Sequence, residues 1–320
     1  MVVMYHYVHD VAPLPRTGML NAPPAITGLT TSEFRRQLDQ LSTQLEPIDW
    51  PTLFAWTCGR GSIPDRCFLL TFDDGLRDHV ENVLPILEER RLRGAFFVPG
   101  KVLTSQTLLS AHMLHILLAT LDDDTLEGAM QDYFTGDDAG HVEAMASVDL
   151  SAARQMYGYE SASRARLKYG LTMCLPIEVR NRMLEHVFRQ FIGSPKRWGE
   201  HWYLGWDDLA NMQTLGHTIG GHGFRHEPYN RLSPNEIRSD ISRTANVLRD
   251  GLGADIRPFS YPYGRFDDRV CVACRDVGFA HAFTTQSKWS THQDDVLSLP
   301  RVDTIHVATQ LGEDAVCHSK

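Results

Sequence analysis

Short apolar runs rich in β-branched and aromatic residues recur along the chain, and helical patterns lie between most of them. The runs are bounded by strand-breaking residues, and they are Val2–Tyr7, Cys67–Phe72, Gly94–Val98, His217–Gly221, Pro258–Tyr261, His281–Thr284 and Leu297–Val302. Alternation of strands with helices predicts an α/β fold with a parallel sheet, and about seven such units predict closure into a barrel.

Three helices are predicted from apolar spacing and capping residues. One begins near Thr31, a second covers Val80–Arg91, and a third follows Ser233. Pro234 at the first helical position and Glu236 at the third give this last helix a capping box with Ser233. Its inward stripe is expected to be Ile237, Ile241, Ala245 and Leu248.

The segment from about residue 101 to 200 departs from this rhythm. It carries helical patterns at Leu108–Asp122, Thr125–Phe134 and Pro176–Gly193, joined by acidic connectors, and it has no strand signal. We expect a helical insertion in one loop of a single barrel that spans residues 1–320, because loops tolerate insertions.

Composition narrows the class of protein. The chain has 320 residues, 42% of them hydrophobic, and 31 Lys and Arg against 40 Asp and Glu give a net charge of −9. This apolar fraction is sufficient for a packed core. Because acidic residues outnumber basic ones, we expect nucleic acids and anionic membrane surfaces to be poor binding partners.

Two adjacent carboxylates end the second apolar run. Asp73 and Asp74 follow Cys67–Phe72 directly, and Gly75 comes next. The carboxyl ends of barrel strands form the active face, so a cation is expected to hold one carboxylate ionised while its neighbour keeps a raised pKa suited to a general base. An Asp pair that caps the following helix is the simpler alternative.

A pair of histidines follows another predicted strand. His222 and His226 are four residues apart in the loop after His217–Gly221. Two imidazoles and one carboxylate suit zinc and other borderline divalent ions, although two hydrogen-bonded loop histidines would give the same pattern.

A third run ends in Pro262-Tyr263-Gly264, where the amide of Tyr263 is placed to point at a ligand.

Taken in order, these three segments resemble the polysaccharide deacetylase family with the NodB homology domain. Its TFDDG motif is present unchanged at Thr71–Gly75, and its histidine motif is met by His222 and His226. The resemblance covers about residues 1–100 and 205–303. It implies a distorted (β/α)7-type barrel whose divalent metal is held by Asp74, His222 and His226, with Asp73 as the base.

The chain departs from the family pattern at two positions. Gly223 stands where Ser or Thr is usual, and Ser260 stands where an arginine commonly precedes the Pro-Tyr-Gly turn. That arginine is the usual partner of the base. Arg301, at the end of the last predicted strand, is expected to reach the same barrel mouth and replace it.

The family's late motif with the catalytic acid is not recognisable in this chain. Met4-Tyr5-His6 ends the first strand, a pattern that resembles the circularly permuted subset of the family. The resemblance gives the acid role to His6, with His306 as the alternative.

The implied function is hydrolysis of an N-acetyl or other N-acyl group on a sugar or glycan intermediate. Zinc is the expected ion, and cobalt, nickel, manganese and iron are alternatives. A catalytically reduced carbohydrate-binding homologue and a non-haem iron oxygenase are the other interpretations. The adjacent second carboxylate argues against both, because neither a binder nor an oxygenase needs a base beside the metal.

The cellular location and partners are expectations of the same kind. The N-terminal residues lack a basic region followed by a long apolar stretch, and no apolar run reaches the length of a membrane-spanning helix. We therefore expect a cytoplasmic protein with an N-acylated sugar as its substrate. The sequence leaves the oligomeric state open.

Overall fold

The structure is a computed structural model of the chain. It describes residues 1–10, 26, 28–135, 140–158, 160–253 and 255–317, with the backbone alone at 146 and 313–317. The described residues form two compact units. Residues 1–10, 28–106 and 200–317 belong to the first unit, and residues 107–199 belong to the second.

The first unit is built on a sheet of parallel strands. They are β1 (Val2–Tyr5), β2 (Glu46–Pro47), β3 (Cys67–Phe72), β4 (Gly94–Val98), β5 (Thr218–Gly221), β6 (Pro258–Ser260), β7 (His281–Phe283) and β8 (Val302–Asp303). Their order is β7-β6-β5-β4-β3-β1-β8, and β2 pairs with β3. Every pairing is parallel and the sheet curls, which confirms the distorted α/β barrel.

The last predicted strand is shorter than expected. Only Val302 and Asp303 pair as a strand, with β1 on one edge of the sheet. The preceding residues approach the opposite edge, where Leu299 accepts a hydrogen bond from the Thr284 amide at 2.9 Å. Pro300 has no amide to donate and so interrupts the ladder between these two contacts. One segment therefore touches both edge strands of the curled sheet.

The helices of the chain are α1 (Thr31–Gln44), α2 (Trp50–Thr57), α3 (Leu84–Arg90), α4 (Gly100–Ser105), α5 (Ser110–Thr120), α6 (Asp123–Tyr133), α7 (Gly140–Ala146), α8 (Leu150–Met156), α9 (Ala162–Tyr169), α10 (Ile177–Phe191), α11 (Pro195–Trp202), α12 (Trp206–Thr214), α13 (Pro234–Leu252), α14 (Asp268–Val277) and α15 (Val307–Cys317). Shorter helical turns lie at His79–Val83, Gly170–Cys174, Tyr229–Arg231, Pro262–Gly264 and Thr304–His306. None of the described helices is long and apolar enough to cross a membrane.

The helices predicted around the barrel begin as their capping residues indicate. Helix α1 has Thr30 as its N-cap and a capping box with Glu33, and α13 has Ser233 and Glu236 in the same roles. Each box satisfies two backbone donors that a helix start leaves open. The predicted helix Val80–Arg91 instead begins as a wider turn at His79–Val83 and becomes an α-helix only at Leu84.

Both faces of the sheet are apolar. On the outer face, Tyr5, Phe72 and Phe96 occupy paired positions in β1, β3 and β4, with adjacent ring centroids 5.1 and 4.6 Å apart. On the inner face lies a buried cluster of Val2, Trp50, Leu53, Leu69, Ala95, Phe97, Phe283 and Leu299. Burial of each large side chain contributes about 1.5–3 kcal/mol, so the strand ends are held on a rigid support.

The second unit is helical throughout its described residues. Helices α5, α6 and α10 correspond to the three predicted patterns, and α5 packs against α10. Helices α7, α8 and α9 were absent from the prediction because they are only seven or eight residues long. The described residues between 107 and 199 thus have the helical character that was expected for residues 101–200.

A buried histidine in the first unit couples folding to pH. His281 begins β7, is 1% exposed, and lies edge-on to the rings of Trp50 and Phe54. Its Nε2 is 3.0 Å from the Thr57 hydroxyl. Burial lowers the pKa of His281 from 6.5 to about 4. The unfolded chain therefore binds a proton between these two pH values that the folded chain does not bind.

We predict that His281→Gln reduces the loss of stability on acidification. In the wild type, the contribution of His281 to the free energy of unfolding is retained above about pH 6.5, the pKa of histidine in the unfolded chain. This contribution is lost as the pH falls towards the pKa of His281 in the folded protein, and the loss is at most about 3 kcal/mol. Glutamine does not titrate and keeps a polar atom towards Thr57. The free energy of unfolding, measured by denaturant titration at pH 7.5 and pH 5, should fall less in the variant than in the wild type. Equal losses in both proteins would contradict the assignment.

Candidate active site

Most of the predicted site residues follow the carboxyl ends of the parallel strands, whereas Arg301 lies at the amino end of β8. His6 follows β1, Asp73 and Asp74 follow β3, and His222 follows β5. Ser260 is the last residue of β6, and Arg301 immediately precedes β8. Because the strands are parallel and neighbouring, these ends meet at one edge of the sheet.

Three buried side chains form a candidate metal site. Ligand atoms of Asp74, His222 and His226 all lie within 4.8 Å of one another. Asp74 Oδ1 is 3.3 Å from His222 Nε2 and 3.1 Å from His226 Nε2. Two nitrogen donors and one carboxylate oxygen form a set that suits zinc and leaves positions open for water or substrate.

The hydrogen bonding of His222 supports a cation in this site. Its Nδ1 is 2.8 Å from the Ser260 carbonyl oxygen, which only accepts, so Nδ1 carries the proton. In the neutral ring, the Nε2 lone pair then faces a carboxylate oxygen of Asp74. Two acceptors at this distance repel each other unless a positive charge lies between them. The residues present therefore fit a divalent ion.

The pKa of His222 reflects the same demand for positive charge. Burial by itself lowers this pKa, but the carboxylates of Asp73 and Asp74 raise it above the ordinary value. A proton on His222 satisfies the carboxylates, as a metal ion would.

Asp73 is paired with Arg301 and stays outside the set of three ligands. The guanidinium donates two hydrogen bonds, to Asp73 Oδ1 at 2.8 Å and to Oδ2 at 2.6 Å. Asp73 Oδ2 is 3.9 Å from His222 Nε2. Arg301 is thus placed where the sequence analysis expects a replacement for the missing arginine.

The expectation of a raised pKa for Asp73 is wrong. Burial by itself raises this pKa, but the charge of Arg301 and then of His222, with the hydrogen bonds from Arg301, lowers it to about 2. Asp73 is therefore ionised at neutral pH. Repulsion between the two carboxylates would raise the pKa of the one that no cation neutralises, but the fully desolvated bidentate guanidinium of Arg301 lowers the pKa of Asp73 by a larger effect.

Arg301 is fully buried, and its donors are all directed to acceptors. Besides Asp73, it donates to the Thr284 carbonyl at 2.9 Å, the Ser260 hydroxyl at 2.9 Å and the Thr71 hydroxyl at 3.2 Å. The Ser260 hydroxyl in turn donates to Asp73 Oδ2 at 3.1 Å. The small Ser260 thus leaves room for a guanidinium that arrives from another strand.

The two candidate acids differ in their placement. The side chain of His6 is 40% exposed, and its Nε2 is 4.0 Å from Asp73 Oδ2. The His6 carbonyl oxygen is 3.0 Å from Nε2 of the buried His79, which fixes the backbone at this position. His306 is an exposed residue in the turn Thr304–His306. The geometry favours His6 over His306.

Three residues of the site have strained backbones. Asp74, His226 and Tyr263 have φ angles of 75°, 56° and 57°, in the left-handed region. Non-glycine residues there cost about 1–2 kcal/mol each, and they persist only where surrounding contacts determine the conformation. The ring of Tyr263 lies 5.0 Å from that of His226. The role of the Tyr263 amide stays a prediction.

Two residues of the site were missed by the sequence analysis as partners of Asp73 and Arg301. Thr71 begins the TFDDG motif and is fully buried, and Ser260 was considered only as a missing arginine. A hydroxyl within an otherwise apolar buried strand was the available signal, because a buried polar group requires a partner.

The chain matches the sequence model of a known family over about half of its length. A sequence model of polysaccharide deacetylases matches residues 60–125 and 185–282, together just over half of the chain. The matched ranges contain Asp73, Asp74, His222, His226 and Tyr263. His6 and Arg301 lie outside the matched ranges.

Individual relatives are distant. Chitin deacetylase 1 of Cryptococcus neoformans var. grubii is 30% identical over 86 residues, which are 27% of this chain and 17% of that protein. Deacetylase PplD of Streptococcus pyogenes, solved in complex with acetate, has a TM-score of 0.58 at 14% identity, covering 97% of this chain and 96% of that one. IcaB from Ammonifex degensii has a TM-score of 0.56 at 17% identity, covering 97% and 95%. At these identities the structural similarity establishes the fold.

We predict that Arg301→Met lowers the free energy of unfolding by about 3–5 kcal/mol, since it leaves the buried Asp73 carboxylate without its partner. Denaturant titration of the metal-free protein at pH 7.5 measures this loss. Arg35→Met is the matched control, because it removes an exposed ion pair with Glu89. The control should be nearly neutral. Equal effects of the two substitutions would show that the Arg301 pair is not a structural requirement.

Proposed function

Since the chain belongs to the polysaccharide deacetylase family, we propose that it is a metal-dependent hydrolase of an N-acetyl or other N-acyl group on an amino sugar of a glycan or glycan precursor. One observation carries the proposal. An ionised carboxylate, Asp73, stands beside three convergent ligands without belonging to them. A base next to a Lewis acid is an arrangement that hydrolyses amides without a covalent enzyme intermediate.

The residues that would hold the ion are Asp74, His222 and His226. A divalent cation bound there would lower the pKa of a water molecule and polarise the acyl carbonyl. Zinc is the proposed ion, and cobalt, nickel, manganese and iron satisfy the same donor set. The chain supplies the remaining functions through Asp73, His6 and Tyr263.

Asp73 is proposed to accept the proton of the attacking water. Its low pKa keeps it in the unprotonated form that a base needs, although it makes the carboxylate a weak base. Arg301 fixes the orientation of both carboxylate oxygens. The backbone amide of Tyr263 is proposed to donate to the oxyanion that develops on the acyl oxygen.

His6 is proposed to protonate the departing amine. It is partly exposed and lies on the Asp73 side of the site, where a substrate nitrogen can reach it. As the acyl C–N bond breaks, the hydroxyl of water joins the acyl carbon, Asp73 holds the water's proton, and the nitrogen leaves as an amine with the proton from His6. Proton exchange with solvent then restores Asp73 and His6. The products are a carboxylate and a free amino sugar. No covalent enzyme intermediate is needed.

Two of the similar proteins fit this reaction. One relative is a chitin deacetylase, and one similar structure was solved with acetate. The alternative of a catalytically reduced carbohydrate-binding homologue was based on the missing arginine and on the unrecognised late motif. Arg301 contacts Asp73 in place of the missing arginine. The cytoplasmic location stays a prediction.

We predict that Asp73→Asn and Asp74→Asn separate the two carboxylates by function. Asp73→Asn removes the proton acceptor and should lower kcat about 10²–10⁴-fold while metal content stays near that of the wild type. Asp74→Asn should lose metal and activity together. Acetate release from N-acetylglucosamine oligomers and metal analysis of the purified proteins measure these effects. Wild-type turnover by Asp73→Asn would exclude it as the base.

Removal of divalent ions should abolish acetate release without unfolding the protein, because the hydrophobic core is independent of the site. Activity and far-ultraviolet circular dichroism are measured before and after dialysis against a chelator, and again after one equivalent of zinc is added. Recovery of activity is expected. Full activity in the chelated protein would contradict metal dependence, and carbohydrate binding without acetate release in the zinc-loaded protein would favour the binding homologue.

A further inference from the structure

The two histidines of the candidate metal site are held in different ways. His222 follows strand β5 directly, and its ring is fixed by the Ser260 carbonyl. His226 lies four residues further along the loop in a left-handed conformation, with φ 56°. Its position therefore depends on the backbone of Gly223–Arg225, which leads to it.

Asp240, a buried residue of α13, binds this backbone. Its Oδ1 accepts from the Phe224 amide at 2.7 Å, and its Oδ2 accepts from the Arg225 amide at 3.0 Å. The Tyr229 hydroxyl also donates to Oδ1, at 2.9 Å. The Asp240 carboxylate thus accepts hydrogen bonds from the two backbone amides just before His226 and from the hydroxyl of Tyr229, which follows His226 in the sequence.

The carbonyls of the same loop are fixed from another element. The Gly100 amide donates to the Gly223 carbonyl at 3.0 Å, and the Lys101 amide donates to the Phe224 carbonyl at 2.9 Å. Helix α4 therefore holds the carbonyl side of the loop, while Asp240 of α13 holds the amide side. The loop before His226 is clamped between two helices.

Gly223 makes room for this arrangement. Its φ is +68°, and a Cβ there would lie 3.0 Å from the Tyr229 hydroxyl and 3.2 Å from Asp240 Oδ1. The family motif commonly has Ser or Thr at this position. In this chain a side chain there would press on the carboxylate and on its hydroxyl partner.

We propose that Asp240 is a positioning residue that sets the strained backbone of His226 and thereby the affinity of the site for a divalent ion. The inference rests on the proposed metal site of the preceding section. Asp240 is not one of the three metal ligands, but part of the metal affinity is assigned to it.

The test compares zinc affinity in four proteins. In Asp240→Asn, one acceptor oxygen becomes an NH₂ group that faces a backbone donor, so the two amides cannot both be satisfied. Tyr229→Phe keeps the carboxylate, its two backbone donors and its ion pair with Arg225 at 3.5 Å, and removes the hydroxyl donor. Leu248→Ala is the control, because Leu248 is fully buried on α13 and lies outside the loop and the site. It should destabilise the fold to a similar extent.

The zinc dissociation constant is measured by chelator competition on the folded proteins, and the visible spectrum of each cobalt-loaded protein reports the ligand geometry. Asp240→Asn should bind zinc at least about 10-fold more weakly, in line with outer residues of metal sites, and its cobalt spectrum should change. Tyr229→Phe should weaken binding less, and Leu248→Ala should leave affinity and spectrum unchanged.

Each outcome is decisive. Affinities of Asp240→Asn and Tyr229→Phe within twofold of the wild type, with an unchanged cobalt spectrum, would overturn the inference and leave the metal site intact. An equal loss of affinity in Leu248→Ala would overturn it as well, since the effect would then come from general destabilisation. If Asp240→Asn does not fold, Tyr229→Phe alone decides by the same criteria. A wild-type protein that binds neither ion would remove the proposed function together with this inference.

Discussion

The buried ion pair between Arg301 and Asp73 is the interaction on which the arrangement of the site depends. Both side chains are withdrawn from water, so each would be strongly destabilising alone. The guanidinium also binds Thr71, Ser260 and the Thr284 carbonyl. It thereby joins β3, β6 and the residue after β7, and it keeps the carboxylate ionised in surroundings of low polarity.

The site is also a place where the chain is strained, and the strain is local. Asp74, His226 and Tyr263 adopt left-handed conformations that L-residues rarely favour, and each offers or contacts a part of the candidate metal centre. The apolar layers on both faces of the sheet supply the stability that compensates for this strain. A rigid sheet with strained residues at its carboxyl edge keeps the donor groups convergent.

The sequence predicted most of what depends on local patterns. The strand and helix alternation gives the fold, and the Asp pair and the His pair each occupy consecutive or nearly consecutive positions at strand ends. Arg301 was anticipated because it too ends a predicted strand. The elevated pKa expected for Asp73 was wrong, because the effect of a bidentate guanidinium depends on burial that no spacing reveals. Asp240 was missed for a related reason. It lies between Ile237 and Ile241 on the inward face of α13, and only the folded loop shows what it binds.

The order of the site residues along the chain has a consequence for synthesis. Asp73 and its arginine are 228 residues apart, and Arg301 comes after every metal ligand. A growing chain that has reached His226 already contains the three ligands but lacks the guanidinium, and at ribosomal rates the remaining residues up to Arg301 take roughly 4–15 s to add. During that interval burial of the Asp73 carboxylate lacks its compensating charge and is unfavourable. Stable burial of Asp73 therefore requires that the chain has been made as far as Arg301.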